Sequence, residues 1–525
     1  MVLFLVLVGV FTPANAGLVT APPNPHVPLV STNLPIVWIE APKSVNQNTR
    51  VTARMKIIDN GEGVLNYADT VAYPGQNVDF EGYIGLRYRG NSSYLYSDKK
   101  PYSFRPLDKP LEDGGDWKKA SILGMPRDSK WALLAPYADK SMIRDVLAFE
   151  ISKPWMEYTP QGRYCEVIYN GSYHGVYVLA EVVSGGKYRL NLEDPGEFDD
   201  ELTGGYLLEV DRNDEVTYRS KFPPVYSDGT PIRDHYIEIQ YKSPEYQDMT
   251  SAQLRYIQNR INQMETVLAS DDYCDSIKGY RHFLDEMSCI DYQLALELGH
   301  NVDGYRLSGK FYKHRDSVDP RFKMVLWDMN LAYGNSNFNE GWRNDTWQYQ
   351  INDVIGSRPS SHLVPFWWYK MNSDSAYVEN LKNRWAQYRR SNVRTERLMA
   401  TVDSLVNLLT VGGAEARNSL AYPTWGEYVW PIYYIAVDYE DEISYLKQWL
   451  TDRIKWMDEQ LGFDPDKVIP GDVNDDGEVN ISDINAIIDM IMGGHGVSVM
   501  RADVNGDGEV NIADVNMVLN IILSS

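Results

Sequence analysis

The sequence predicts an α+β protein of two lobes, a β-rich N-terminal part followed by a helix-rich C-terminal part, with a small α-helical module appended. Three observations predict it. Alternating segments rich in β-branched and aromatic residues dominate up to about residue 240. From about residue 250 the hydrophobic period becomes that of helices. Near the C-terminus a short acidic segment occurs twice. A chain of 525 residues is too long for one compact core.

In chain order, residues 1–16, "MVLFLVLVGVFTPANA", read as a signal peptide, an apolar run ending in a small-x-small cleavage pattern. The run is too short to span a bilayer, so the protein is expected to be secreted, periplasmic or on the cell surface, with no membrane span. Residues 17–33 are a Pro-rich leader. Strands are expected at 34–40, 51–59, 82–90 and 100–106, and 140–153 has helical spacing with Ile143, Leu147 and Ile151 on one face. Residues 163–183 form a hairpin around Asn170-Gly171, a pair suited to a tight reversing turn. Further strands follow at 203–211 and 236–241. Helices follow at 251–270 and 290–301 and dominate from 362 to 462. A linker covers 463–470, and the terminal module covers 471–525.

The composition, with 43% hydrophobic residues, 23% charged residues, 14 Trp and 37 Tyr, is that of a globular protein. The net charge of −23 argues against a nucleic-acid partner, which needs clustered Lys and Arg. Three cysteines, Cys165, Cys274 and Cys289, leave open a Cys274–Cys289 bridge or three free thiols.

Residues 471–525 hold ten acids and one base. The repeat "DVNDDGEVNISDIN" and "DVNGDGEVNIADVN" accounts for most of them. Each copy fits a calcium loop, with side-chain oxygens at alternate positions and a glycine at the sharp turn. In the first, Asp472, Asn474, Asp476, Asn480 and Asp483 are ligand positions, Gly477 is the turn, and Glu478 offers its backbone carbonyl. In the second the same roles fall to Asp503, Asn505, Asp507, Asn511 and Asp514, with Gly508 and Glu509. An apolar helical run follows each loop. This duplicated loop–helix resembles a type I dockerin, which implies two Ca2+ sites and a cohesin-type partner, or packing against its own chain.

Residues 301–330, "NVDGYRLSGKFYKHRDSVDPRFKMVLWDMN", carry an acid near each end, Asp303 and Asp328. The runs 305–313 and 321–327 can pair as an antiparallel hairpin, which brings both acids to one sheet edge. Two neighbouring carboxylates repel unless a divalent metal, a shared proton or solvent relieves them. These serve, respectively, phosphoryl transfer, glycoside hydrolysis or no chemistry at all.

The ordered set "RGNSS" (89–93), "KKPYSF" (99–104), "SKWALLAPYADKSMIRD" (129–145), "YHGVYVLAE" (173–181), "GGYLLEVD" (204–211) and "NVDGY…WDMN" (301–330) resembles the CotH kinase family over roughly 34–462. The resemblance implies a divergent protein-kinase-like fold. It also implies ATP with Mg2+ or Mn2+, and phosphate transfer to Ser or Thr of an unknown protein substrate. It makes Asp303 the catalytic aspartate and Asp328, with Asn330, the metal position. Asn330 stands where the family often has an acid. For the nucleotide, Lys100 is the first choice of cation and Lys99 its rival, with Arg89, Ser92, Ser93 and Glu181 as further contacts. Asn301 braces the Asp303 turn or caps the preceding helix, and Arg144 with Asp145 can be a helix-face ion pair. Two alternatives stand beside a kinase. One is a non-catalytic adhesion scaffold. The other is a glycan-active module in which Trp342, Trp347, Trp367, Trp368, Trp425 and Trp430 stack on sugars.

Overall fold

Seven strands close a barrel in the N-terminal part of the computed structural model, which describes residues 22–42, 44–358, 362–465, 469–494 and 496–524. Their spatial order is Gly162–Tyr169, Ser172–Glu181, Trp131–Leu134, Tyr102–Leu107, Val78–Tyr88, Val51–Ile58 and Ile36–Glu40. Neighbours are antiparallel except at the closing seam, where Ile36–Glu40 runs parallel to Gly162–Tyr169. Alternate residues point inward and form a core of Met55, Ile57, Leu86, Phe104, Trp131 and Leu179. Six of these strands are legible as sequence segments. Trp131–Leu134 is not, because its four residues lack the length that makes alternation readable. The hairpin turn is as expected: Asn170 and Gly171 have φ of 48° and 79°.

A second, five-stranded antiparallel sheet orders Thr217–Arg219, Glu238–Ser243, Tyr206–Val210, Gly309–Lys313 and Phe322–Val325. Helix Glu286–Gly299 packs against its last strand and against helices Ser375–Arg390 and Tyr439–Leu461. It is buried from Cys289 onward, and its buried polar residues Asp291, Gln293 and Glu297 are matched by Arg384, Tyr377 and Arg453. Helix Ser251–Ala269 starts on a Thr250–Gln253 capping box. The helix expected at 140–153 begins at Arg144, after Asp139 and Ser141 fold back on its first turn, and Ile143, Leu147 and Ile151 are buried. The architecture is therefore mixed α+β, with a β-rich N-terminal part and a helical C-terminal part.

The signal-peptide segment 1–16 lies outside the described residues. Over 22–33, read as a leader, the chain lies on the body. Val27 is buried with Tyr173 and Tyr422, and Ser31–Thr32 pairs with Asn66–Tyr67. Cys274 is exposed and Cys289 buried, and all three thiols are free, so no Cys274–Cys289 bridge forms. In the terminal module, helices Ile481–Ile491 and Ile512–Ser524 share a small core with Val473 and Ala502. Among the described residues no helix is long and apolar enough to cross a membrane.

Candidate functional site

The two acids that the sequence places at one sheet edge are joined by a single side chain. Lys310 faces Val325 and Lys313 faces Phe322, so the hairpin pairs as expected. Its first strand starts only at Gly309, because Arg306 N and Leu307 N both donate to Asp303 O and make a turn of the preceding residues. Asp328 follows the second strand with φ of 60°, a left-handed conformation that Asp tolerates better than most residues. Asn301 is fully buried. Its Nδ2 donates to Asp328 O at 3.0 Å, and its Oδ1 accepts from Asp303 N at 3.2 Å.

Local sequence explains how Asn301 gets there. Helix Glu286–Gly299 ends at His300, with φ of 45°, and Asn301 N closes the helix by donating to Leu296 O at 3.1 Å. Asn301 thus caps with its backbone and braces with its side chain. At Gly304 a Cβ would collide with Leu296, and Tyr292 Oη donates to Gly304 O at 2.6 Å. Glu297 holds the far side of the turn, accepting from Tyr305 Oη at 3.0 Å and pairing with Arg453 at 3.1 Å.

Charge around Asp328 is dense. The residue is exposed to water, with Arg89, Asp303, Glu209 and Lys310 as its charged neighbours. Surrounding protein raises its carboxyl, though water access moderates that, and Arg89 opposes the rise while Asp303 and Glu209 add to it. Arg89 lies over the Trp327 ring at 5.0 Å, and its buried Nη1 has no hydrogen-bond partner. Asp145 accepts from Met329 N at 2.7 Å, and its carboxyl is raised by burial and then by Asp328. Lys310 pairs with Glu209 at 2.5 Å across the sheet. Asp303 pairs with Arg306 at 2.8 Å and stays 20% exposed. Asn330 donates Nδ2 to Asp328 Oδ1 at 2.6 Å.

Other expected residues sit elsewhere. Lys100 donates to Tyr94 O at 2.6 Å and lies over that ring, so the cation set against Asp328 is Arg89 and not Lys100. Lys99 is buried against Val176 O and Asn418. Ser92 and Ser93 open the short helix Ser92–Leu95 that follows Arg89. Glu181 is buried and pairs with Arg189 at 2.7 Å, so the base it anchors is an arginine. Arg144 and Asp145 are not a pair. Arg144 is buried between Asp139 at 2.6 Å and Glu442 at 2.7 Å, while Asp145 turns to the Asp328 side. Sequence reasoning missed Asp145, Glu209 and Lys310 as neighbours of Asp328. Only for the last two was there a signal, one acid and one base at facing positions of alternating strands.

The two terminal loops repeat one hydrogen-bond pattern. Asp472 accepts from Asp476 N and Gly477 N, both at 3.0 Å, and Asp503 accepts from Asp507 N and Gly508 N at 3.0 and 2.9 Å. Asp483 and Asp514 close their loops onto Asn480 N and Asn511 N. Burial raises the Asp472 carboxyl most, and the like charges of Asp483 and Asp476 add to the rise. Among the described residues no three His, Cys, Asp or Glu side chains form a ready metal cluster; the loop acids accept backbone amides.

Comparison with known families adds two matches. The family model described as CotH kinase protein matches residues 86–457, and the Dockerin type I domain model matches residues 470–523. No curated protein matches the chain.

Proposed function

The chain belongs to the CotH kinase protein family and carries a type I dockerin domain, and from that premise we propose an exported, dockerin-tethered protein kinase. Its reaction is transfer of the ATP γ-phosphate to a Ser or Thr hydroxyl on a divergent kinase-like fold. The observation that carries this reading is the Asn301 tie, which links the backbones of Asp303 and Asp328 at one end of the hairpin. The site suits both charges of a nucleotide–metal pair. Asp328, Glu209 and Asp145 concentrate negative charge for a cation, and the unpartnered Nη1 of Arg89 calls for an anion.

Asp328 and Asn330 would hold Mg2+ or Mn2+, which neutralises phosphate charge when bound. Asp303 accepts the proton of the acceptor hydroxyl as its oxygen bonds to the γ-phosphorus and the bond to ADP breaks. Arg306 orients Asp303 through their ion pair, and Arg89 contacts the phosphates. Ser92, Ser93 and Lys100 would border the nucleotide from the turn after Arg89, and Glu181 would act at a distance by fixing its strand end.

In the terminal module, type I dockerins bind calcium and cohesins. Asp472, Asn474, Asp476, Glu478 O, Asn480 and Asp483 would ligate one Ca2+, and Asp503, Asn505, Asp507, Glu509 O, Asn511 and Asp514 the other.

A non-catalytic scaffold is the second reading, favoured by the Asn330 amide seated on Asp328 Oδ1. Incubating the full chain with γ-labelled ATP and Mg2+ or Mn2+ separates the two. Self-labelling that disappears in both Asp303→Ala and Asp328→Ala supports the kinase. No labelling and no nucleotide binding at any metal concentration supports the scaffold.

A further inference from the structure

Aromatic rings from three segments gather on the surface, on stretches of chain that lead away from Arg89 and Asn330. Tyr96 is 61% exposed and its ring centre lies 4.7 Å from that of Trp430, itself 39% exposed. Phe338 stacks with Trp430, the ring planes within 2° of parallel and the centres 6.0 Å apart. Beside them Trp342 stacks with Tyr433 at 5.2 Å, and Tyr433 is 49% exposed. Asn337 fastens the segments together, donating its backbone N to Pro431 O and its Nδ2 to Tyr428 Oη, both at 2.8 Å. Trp449 Nε1 ties Trp342 O to the long C-terminal helix at 2.9 Å. These ties hold together the segments that carry the rings.

Leaving a contiguous apolar surface of this kind in water is unfavourable, and monomers rarely carry one without a use. Two features narrow the occupant. Segments 92–98, 337–342 and 425–437 contain acids but no Lys or Arg, and the bases that pack on them are engaged, Arg343 with Glu340 and Asp345, Arg358 with Asn339 and Lys140 with Thr424 O and Glu427 O, which disfavours nucleic acids and acidic glycans. The flat faces are bordered by the Tyr428 and Tyr433 phenols and the Asn337 amide. A pyranose has the matching form, C–H faces that lie on a ring and hydroxyls around its edge. The other tryptophans weighed for sugar stacking differ: Trp367 and Trp368 are buried at 2%, and Trp347 and Trp425 pack against the core.

We propose that Tyr96, Trp430 and Phe338, extended by Trp342 and Tyr433, form a binding surface for an uncharged polysaccharide. This does not depend on the kinase reading, because neither nucleotide nor metal enters it. The test is affinity electrophoresis of the full chain in gels containing barley β-glucan, xyloglucan or arabinoxylan, with polygalacturonate as the acidic control. Retardation by at least one neutral polymer is expected, weakened about tenfold in Trp430→Ala and in Tyr433→Ala and largely kept in Trp430→Phe. Polygalacturonate should not retard the protein. Circular dichroism checks folding, and if Trp430→Ala unfolds, Tyr433→Ala decides. No retardation by any neutral polymer, retardation unchanged in the folded alanine variants, or equal retardation by polygalacturonate overturns the proposal.

Discussion

Replacing Asn301 by Ala tests whether one side chain holds the candidate site together. Asn301 makes two backbone hydrogen bonds from a fully buried position, to Asp328 O and from Asp303 N. Each is worth about 1 kcal/mol net, and leaving partners unsatisfied adds to that, so the variant should lose about 2–4 kcal/mol of stability. The loss should not stop at stability. Asp328 holds a left-handed φ of 60° that nothing else in the hydrogen-bond pattern grips from the Asp303 side, so its carboxylate should lose its fixed position. Asn301→Asp keeps the acceptor for Asp303 N but turns a buried carboxylate onto Asp328 O beside two acids, and should fall below Ala at neutral pH. Urea unfolding measures the first effect, and Mn2+-dependent ATP labelling measures the second. If Asn301→Ala unfolds within about 0.5 kcal/mol of wild type, the tie is not a structural element and the reasoning fails.

Three further outcomes are expected. Glu265 is buried, with Oε1 accepting from Ser220 and Trp367 and Oε2 unpartnered, and its carboxyl is pushed up to about 7 by desolvation. Between its ordinary value of 4.5 and about 7 the folded state keeps a proton that the unfolded chain has released, so stability falls as pH rises through that window. Glu265→Gln should remove up to roughly 3 kcal/mol of that decline, read from urea midpoints at pH 5 and pH 8. Arg144→Met leaves Asp139 and Glu442 buried without their cation and should cost about 3–5 kcal/mol; a thermal midpoint close to wild type would contradict the buried pairing. Asp472→Ala with Asp503→Ala, or calcium chelation, should melt the terminal module while the main unfolding transition stays in place; calorimetry showing no calcium-dependent transition would remove the calcium-loop assignment.

Much of the fold was readable because it is written in local periods. Six barrel strands run for five or more residues, long enough to read as strand segments, and the Asn170-Gly171 turn needs residues that accept positive φ. The terminal module was readable as a dockerin, since its duplicated motif lies in two short stretches of chain. The Asp303–Asp328 pair lay between these cases. Antiparallel pairing brings the ends of a hairpin together whatever surrounds it, so the proximity was legible while its chemistry was not.

What the sequence by itself determined is whatever depends on neighbours along the chain: the strands and helices, the hairpin edge, the repeated loops and the family. The tertiary structure decided which charges meet. It chose Arg89 over Lys100 as the cation beside Asp328, parted Arg144 from Asp145, and gave Glu181 an arginine as its partner. It also closed the barrel through a parallel seam between strands more than a hundred residues apart, and left Trp430 exposed while burying Trp367 and Trp368. The physical reason is that a long charged or aromatic side chain reaches several ångströms from its backbone, and its partner is set by what the packed core leaves within reach.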